Sequence, residues 1–270
     1  MTKNWNKSCI KKYFFYILNL VFLFSVFTKN LFPQNLTWQQ KLIVKDFTGK
    51  YKGWVEIFIS TCSANFNYQQ DKISDFQSTN SSSCPLFNQP TKQPSNPLVK
   101  YCAVIISDTD LPFWFFSGKS KTYECEFYDE NFLPIESDFN LYGTAENFKI
   151  VTKKSSDTFN ILWKSSKGLT KEKILPANKN VLTTGNLRNI IMSLDLTKKD
   201  SKTFFLLDKF KLENKRITIS SSGKGPVINN IDTYRINIDI SFFGKFSFYI
   251  DKNYNVVYGE GMGIKVFPEK

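Results

Sequence analysis

Tyr234-Arg235-Ile236-Asn237-Ile238-Asp239-Ile240-Ser241 alternates apolar and polar side chains without a break. A strand turns successive side chains to opposite faces, so Tyr234, Ile236, Ile238 and Ile240 share one face while Arg235, Asn237 and Asp239 share the other. The stretch reads as a half-buried antiparallel strand. Immediately downstream, Lys245-Phe246-Ser247-Phe248-Tyr249-Ile250 repeats the pattern. Asp251-Lys252-Asn253-Tyr254-Asn255 then supplies turn residues before Val256-Val257-Tyr258, which predicts a C-terminal hairpin.

Upstream, similar strands are predicted near residues 39–47, 52–60, 100–107, 121–128, 146–153, 158–164 and 215–220, with Lys153-Lys154-Ser155-Ser156-Asp157 joining two of them. One segment changes period. Leu187, Ile190, Ile191 and Leu194 keep the i, i+3, i+4, i+7 spacing of a short helix, with Thr184 or Asn186 as its cap. The predicted fold is all-β and mainly antiparallel: a curled sheet or half-barrel with one short helix, an N-terminal hydrophobic leader helix and one long polar insertion.

Composition narrows the function. In 270 residues, 41% are apolar and 16% aromatic, including 27 Phe, which excludes a wholly disordered chain. Histidine is absent, so mechanisms needing imidazole as base, triad member or metal ligand are closed. Of the net charge of +12, four units come from Lys3, Lys7, Lys11 and Lys12 in a stretch free of acids. Elsewhere lysines are interspersed with Asp and Glu, arginines are few, and no clustered cationic stripe for nucleic acid appears.

Those four lysines precede the uncharged run Tyr13 to Phe27, shorter than the roughly 20 residues of a full membrane span. Residues 1–30 are therefore expected to be a signal peptide or membrane anchor, with the lysines on the cytoplasmic side. Residues 31–270 are expected to form a single β-rich exported domain, periplasmic or secreted, or held at the inner membrane by an uncleaved leader. Cys62, Cys84, Cys102 and Cys125 fall on the exported side, where disulfides persist; Cys62–Cys84 with Cys102–Cys125 is the simplest of three pairings. No Cys-x-x-Cys occurs, and no metal site or cofactor is expected. Residues 63–99, rich in Ser, Gln and Pro, read as a solvated insertion. Asn35-Leu36-Thr37 and Asn80-Ser81-Ser82 match glycosylation sequons, which matter only in a eukaryotic source.

Candidate chemistry is sparse. Glu124, Glu126, Asp129 and Glu130 form an acidic cluster, but Glu124 and Glu126 lie opposite Tyr123, Cys125 and Phe127 and read most simply as the wet side of a strand. Ser222-Gly223-Lys224-Gly225 lacks a phosphate-loop frame and reads as a turn. No catalytic residue is assigned. Phe113, Trp114, Phe115 and Phe116 are the candidate ligand-lining residues, because rings near the mouth of a curled sheet either fill the interior or line an apolar pocket. Aromatic residues also suit a membrane–water interface.

The order of several segments resembles uncharacterised exported bacterial domain-of-unknown-function families. The segments are Leu42 to Gly53, Tyr123 to Leu133, Leu182-Thr183-Thr184, Phe204 to Asp208, and Phe248-Tyr249-Ile250-Asp251-Lys252-Asn253. The likeness covers residues 37–270 apart from 63–99, and Phe248 stands where those families often have Trp. It implies the curled half-barrel of the lipoprotein carriers LolA and LolB, with an apolar concavity and no assigned catalytic residues. The expected function is a non-enzymatic envelope protein, contacting the membrane through its N-terminal segment and binding a lipid or other apolar ligand. The alternative is a structural or assembly protein of the envelope with a filled core.

Overall fold

The computed structural model describes residues 37–62, 98–110, 119–143, 147–177, 181–183, 187–240, 244–261 and 263–269. Among them, fifteen strands form one sheet that is nearly closed into a barrel. The first eight are β1 (Thr37–Asp46), β2 (Tyr51–Thr61), β3 (Tyr101–Thr109), β4 (Ser120–Tyr128), β5 (Pro134–Gly143), β6 (Asn147–Ser155), β7 (Thr158–Ser165) and β8 (Thr170–Pro176). They pair consecutively as an antiparallel meander. After β9 (Val181–Leu182) and helix α1 (Leu187–Met192) come β10 (Lys199–Asp208), β11 (Glu213–Lys224), β12 (Tyr234–Ile240), β13 (Gly244–Ile250), β14 (Val256–Gly261) and β15 (Ile264–Pro268). A second meander runs back from β15, and the two join where β1 pairs with β15. Among the described strands, only β9 and β10 pair in parallel.

The alternation of β12 is realised as read: Ile236, Ile238 and Ile240 are fully buried and Arg235 is exposed. Each such side chain contributes about 1.5–3 kcal/mol through burial. The predicted strands and the short helix all form. The Ser222-Gly223-Lys224 segment departs from expectation, since it ends β11 beside an irregularity in the β11–β12 pairing at Ser221/Lys224. Three tight turns share one design. Asp46, Asp129 and Asp251 each accept hydrogen bonds from backbone N–H groups two and four residues on, with Gly49, Phe132 and Tyr254 at positive φ in the fourth place. Edge strand β8 carries exposed Lys171, Glu172 and Lys173, which discourage pairing with another sheet.

The disulfide pairing is corrected. Cys62 bridges Cys102, with Cα atoms 5.4 Å apart, because β2 and β3 are antiparallel neighbours whose register ends at Thr61 opposite Tyr101. Cys125 is also in disulfide form; Cys84, the leader, the Asn80 sequon, Asn35 and Leu36 of the other sequon, and residues 63–97 of the insertion lie outside the described residues, while Thr37 opens β1. Of the predicted insertion, Leu98 is exposed and Val99 packs against the outer apolar cluster.

On the inner face, Phe248 sits opposite Gly259 and Phe246 opposite Gly261. A Cβ on Gly259 would lie 2.5 Å from Phe248 Cδ1, so the ring occupies the space a side chain would need. Gly259→Ala should therefore destabilise the fold by about 1–3 kcal/mol, read as a lower urea midpoint.

Candidate functional site

Strand β4 decides the chemistry of the interior. Its alternation sends Ser120, Thr122, Glu124, Glu126 and Tyr128 inward and Tyr123, Cys125 and Phe127 outward. Both faces are buried. The outward side chains join Phe58, Cys102, Val104 and Ile106 in a second apolar cluster on the outside of β2–β4. The expectation that Glu124 and Glu126 face water is thus overturned: they are 2% and 1% exposed. Alternation separated the two faces correctly, but a strand covered on both sides has no wet one.

What holds two carboxylates in an apolar interior is Lys209. Residues 209–212 form the turn between β10 and β11. Asp208 Oδ1 accepts from the backbone N–H groups of Phe210 (3.1 Å) and Lys211 (2.9 Å), and Leu212 takes a positive φ. Lys209 is buried, and its ammonium donates to Glu124 Oε1 and, at 2.9 Å, to Glu126 Oε1. The Tyr128 hydroxyl donates to Glu126 Oε2, and the Thr183 hydroxyl, 3.3 Å away, is positioned to donate to the phenol oxygen. Phe210 packs edge-on against Phe139, with ring centroids 5.0 Å apart. The turn is fastened to the opposite wall by charge and by a ring contact.

Neighbours across the sheet are mostly apolar: Ile105 and Phe139 flank Glu124, while Ala103 and Ser137 flank Glu126. Ser137 in turn lies opposite Thr152. The Ser137 and Thr152 hydroxyls are buried and have no hydrogen-bond partner among the described residues. They leave unused bonding capacity beside Glu126.

Burial pushes the Glu124 carboxyl up to about 8, against the pull of Lys209 and with further upward pressure from Glu126. Burial acts on Glu126 in the same direction, yet Lys209 and the bonds from Tyr128, Lys209 and Glu124 together bring it below the ordinary carboxylate value. Lys209 is opposed by burial but is held above the usual lysine range by its two carboxylates. At neutral pH the pair therefore carries one proton, on Glu124, and one negative charge, on Glu126, which balances Lys209.

Among the sequence-based candidates, the described cysteines stand apart from this cluster. Phe113, Trp114, Phe115 and Phe116 lie outside the described residues, and Cys62, Cys102 and Cys125 belong to the outside of the sheet. Lys209 was missed because nothing local in Lys209-Phe210-Lys211-Leu212 marks which of the two lysines points inward. The nearest signal was the pairing of Glu124 and Glu126 two apart among Tyr123, Cys125, Phe127 and Tyr128.

The described fold is an all-β, barrel-like sheet, and comparison with known proteins agrees with that class. No protein-family profile and no curated protein matches the chain. Among solved structures it is similar to a beta-barrel-like protein of the domain of unknown function DUF1849 from Brucella abortus, with 9% identity over 88% of this chain and 98% of that one and a TM-score of 0.51. A DUF1089 family protein from Pseudomonas aeruginosa matches at 11% identity over 66% of this chain and 95% of that one, with a TM-score of 0.38. The first likeness establishes a shared fold with a protein of unknown function.

Removing one partner of a buried charge set strands the rest. Lys209→Met, which keeps length and apolar bulk but removes the charge, should lower unfolding free energy by about 3–5 kcal/mol in denaturant titration.

Proposed function

We propose that the chain is a non-enzymatic, exported envelope protein whose filled β interior serves a structural or assembly role. One observation carries this reading. Inner-wall side chains from both meanders, including Leu42, Val55, Ile57, Ile105, Leu141, Ile150, Ile217, Ile238, Phe248 and Val266, belong to one continuous cluster and have no exposed surface. A wall lining a ligand cavity would face a gap of at least water size, and these residues face other side chains instead. Export is supported by the lysine-flanked apolar leader and by the Cys62–Cys102 bridge, which suits an oxidising compartment.

A second reading keeps the curled sheet as a holder for an apolar or amphipathic ligand, in the manner implied by the resemblance to lipoprotein carriers. It draws on the β6–β8 part of the wall, where Phe148, Trp163 and Leu175 retain 7–9% exposure, and on the rings of Phe113 to Phe116. Lipid extraction followed by mass spectrometry, together with uptake of a fluorescent fatty acid, separates the two. The filled scaffold should yield neither bound lipid nor uptake; a stoichiometric lipid would overturn it in favour of the carrier.

A further inference from the structure

Lys209, Glu124 and Glu126 are arranged as the reactants of an amide-forming condensation. We propose that Lys209 Nζ and the Glu124 side-chain carboxyl join in an intramolecular isopeptide bond, with Glu126 carrying the protons.

Four features of the geometry support the step. The amine touches an oxygen of each carboxyl group, and the three side chains are no more than 6% exposed, so water competes with neither the attack nor the product. Ile105 and Phe139 on either side of Glu124 make an apolar setting that disfavours separated charges. Glu126 is the hydrogen-bond partner of the attacking nitrogen at 2.9 Å, within reach of direct proton transfer. Its second oxygen is fixed by Tyr128. Finally, the Ser137 hydroxyl, buried and without a hydrogen-bond partner among the described residues, is the cross-strand neighbour of Glu126 and leaves an unused polar atom beside the cluster.

The proton count balances. With one carboxyl proton, the set holds an ammonium, a carboxylate and a carboxylic acid, and is neutral overall. Transfer of one proton from Lys209 to Glu126 runs against the resting shifts of both groups and is the uphill step; it leaves three uncharged groups and removes both buried charges. The freed amine is then a nucleophile, and protonated Glu124 is an electrophile, unlike a carboxylate. The nitrogen lone pair attacks Glu124 Cδ and the C–N bond forms. Glu126 gives its proton to the departing hydroxyl and takes one from the nitrogen, the C–O bond breaks, and one water is released. Glu126 ends protonated, as it was before attack. No oxidant or cofactor enters the balance. The product would tie β4 covalently to the β10–β11 turn, 85 residues further along the chain.

Peptide mapping tests this on the full chain. After disulfide reduction and tryptic digestion, mass spectrometry should find the Glu124 and Lys209 peptides as one branched species, lighter than their sum by one water. Lys209→Met should abolish it, as should Glu126→Gln, which keeps the shape but removes the proton carrier. Two linear peptides of unmodified mass from the wild-type protein would overturn the proposal, and that outcome needs no variant to fold.

Discussion

A lysine and two glutamates placed inside an apolar sheet can be tolerated only together, and that constraint orders the rest of the molecule. Each charge alone would cost several kcal/mol to bury. The cost is offset only if the β10–β11 turn reaches β4, and it reaches β4 only if the sheet curls until its two meanders face each other. Curl and cluster are therefore mutually dependent. Tyr128 and Thr183 extend the same polar line to the residue that follows β9, while Asn214 of β11 donates to the carbonyl oxygen of Pro176 at the end of β8 (3.1 Å). Polar contacts thus cross between the two arms of the sheet at points where no strand ladder could.

The cluster also settles a question that hydrophobicity answers wrongly. A one-residue slip of β4 would exchange its faces, turning Tyr123, Cys125 and Phe127 inward and the glutamates outward. By apolar content alone the slipped register looks better. The native one prevails because Lys209 needs its carboxylates and because the outer face is itself an apolar layer, packed with Phe58, Val104, Ile106 and the Cys62–Cys102 bridge. Strands β2 and β3 carry the same message in their composition. Val55-Glu56-Ile57-Phe58-Ile59 and Cys102-Ala103-Val104-Ile105-Ile106 are nearly unbroken apolar runs, as expected of strands covered on both sides. Glu56, the exception, is buried and accepts from Gln39 at 2.6 Å.

How much was legible follows from the same physics. Strands with one wet face, such as β12, β13 and β7, declare themselves by alternation, and the sequence reading found them with their boundaries nearly right. Strands β2 and β3, covered on both sides, showed instead as continuous apolar runs, but others escaped the reading. In β5 the inner face carries Ser137 beside Phe139 and Leu141, and the polar outer face is itself buried at Asp138 and Asn140, where Lys149 pairs with Asp138 at 2.9 Å. The edge strand β8 carries Lys171, Glu172 and Lys173 in succession, and β10 passes from Lys-Asp-Ser-Lys to an apolar end without a period. The candidate site failed to appear for a different reason: its members come from residues 124–128, 183 and 209, and only the curl brings them together. Local pattern contains face and period; it does not contain which distant turn arrives on a given face.

A shared fold therefore says little about what the interior does. The likeness to a barrel-like protein at 9% identity is a likeness of sheet, and a sheet of this kind can be filled, hollowed or cross-braced by its side chains. In this chain the choice is made by chemistry without histidine. Proton sharing is assigned to two carboxyls and a phenol, groups whose ordinary pKa values lie far from neutrality, and burial is what brings one of them, Glu124, to about 8. The same burial that makes the cluster expensive makes it reactive, because excluding water raises the carboxyl, crowds the amine against it and removes the competitor for the bond between them. An apolar interior built only for packing would have filled this place with leucine. That it holds instead an amine, two carboxyls and the phenol hydroxyl that orients one of them is the strongest reason to look for chemistry there.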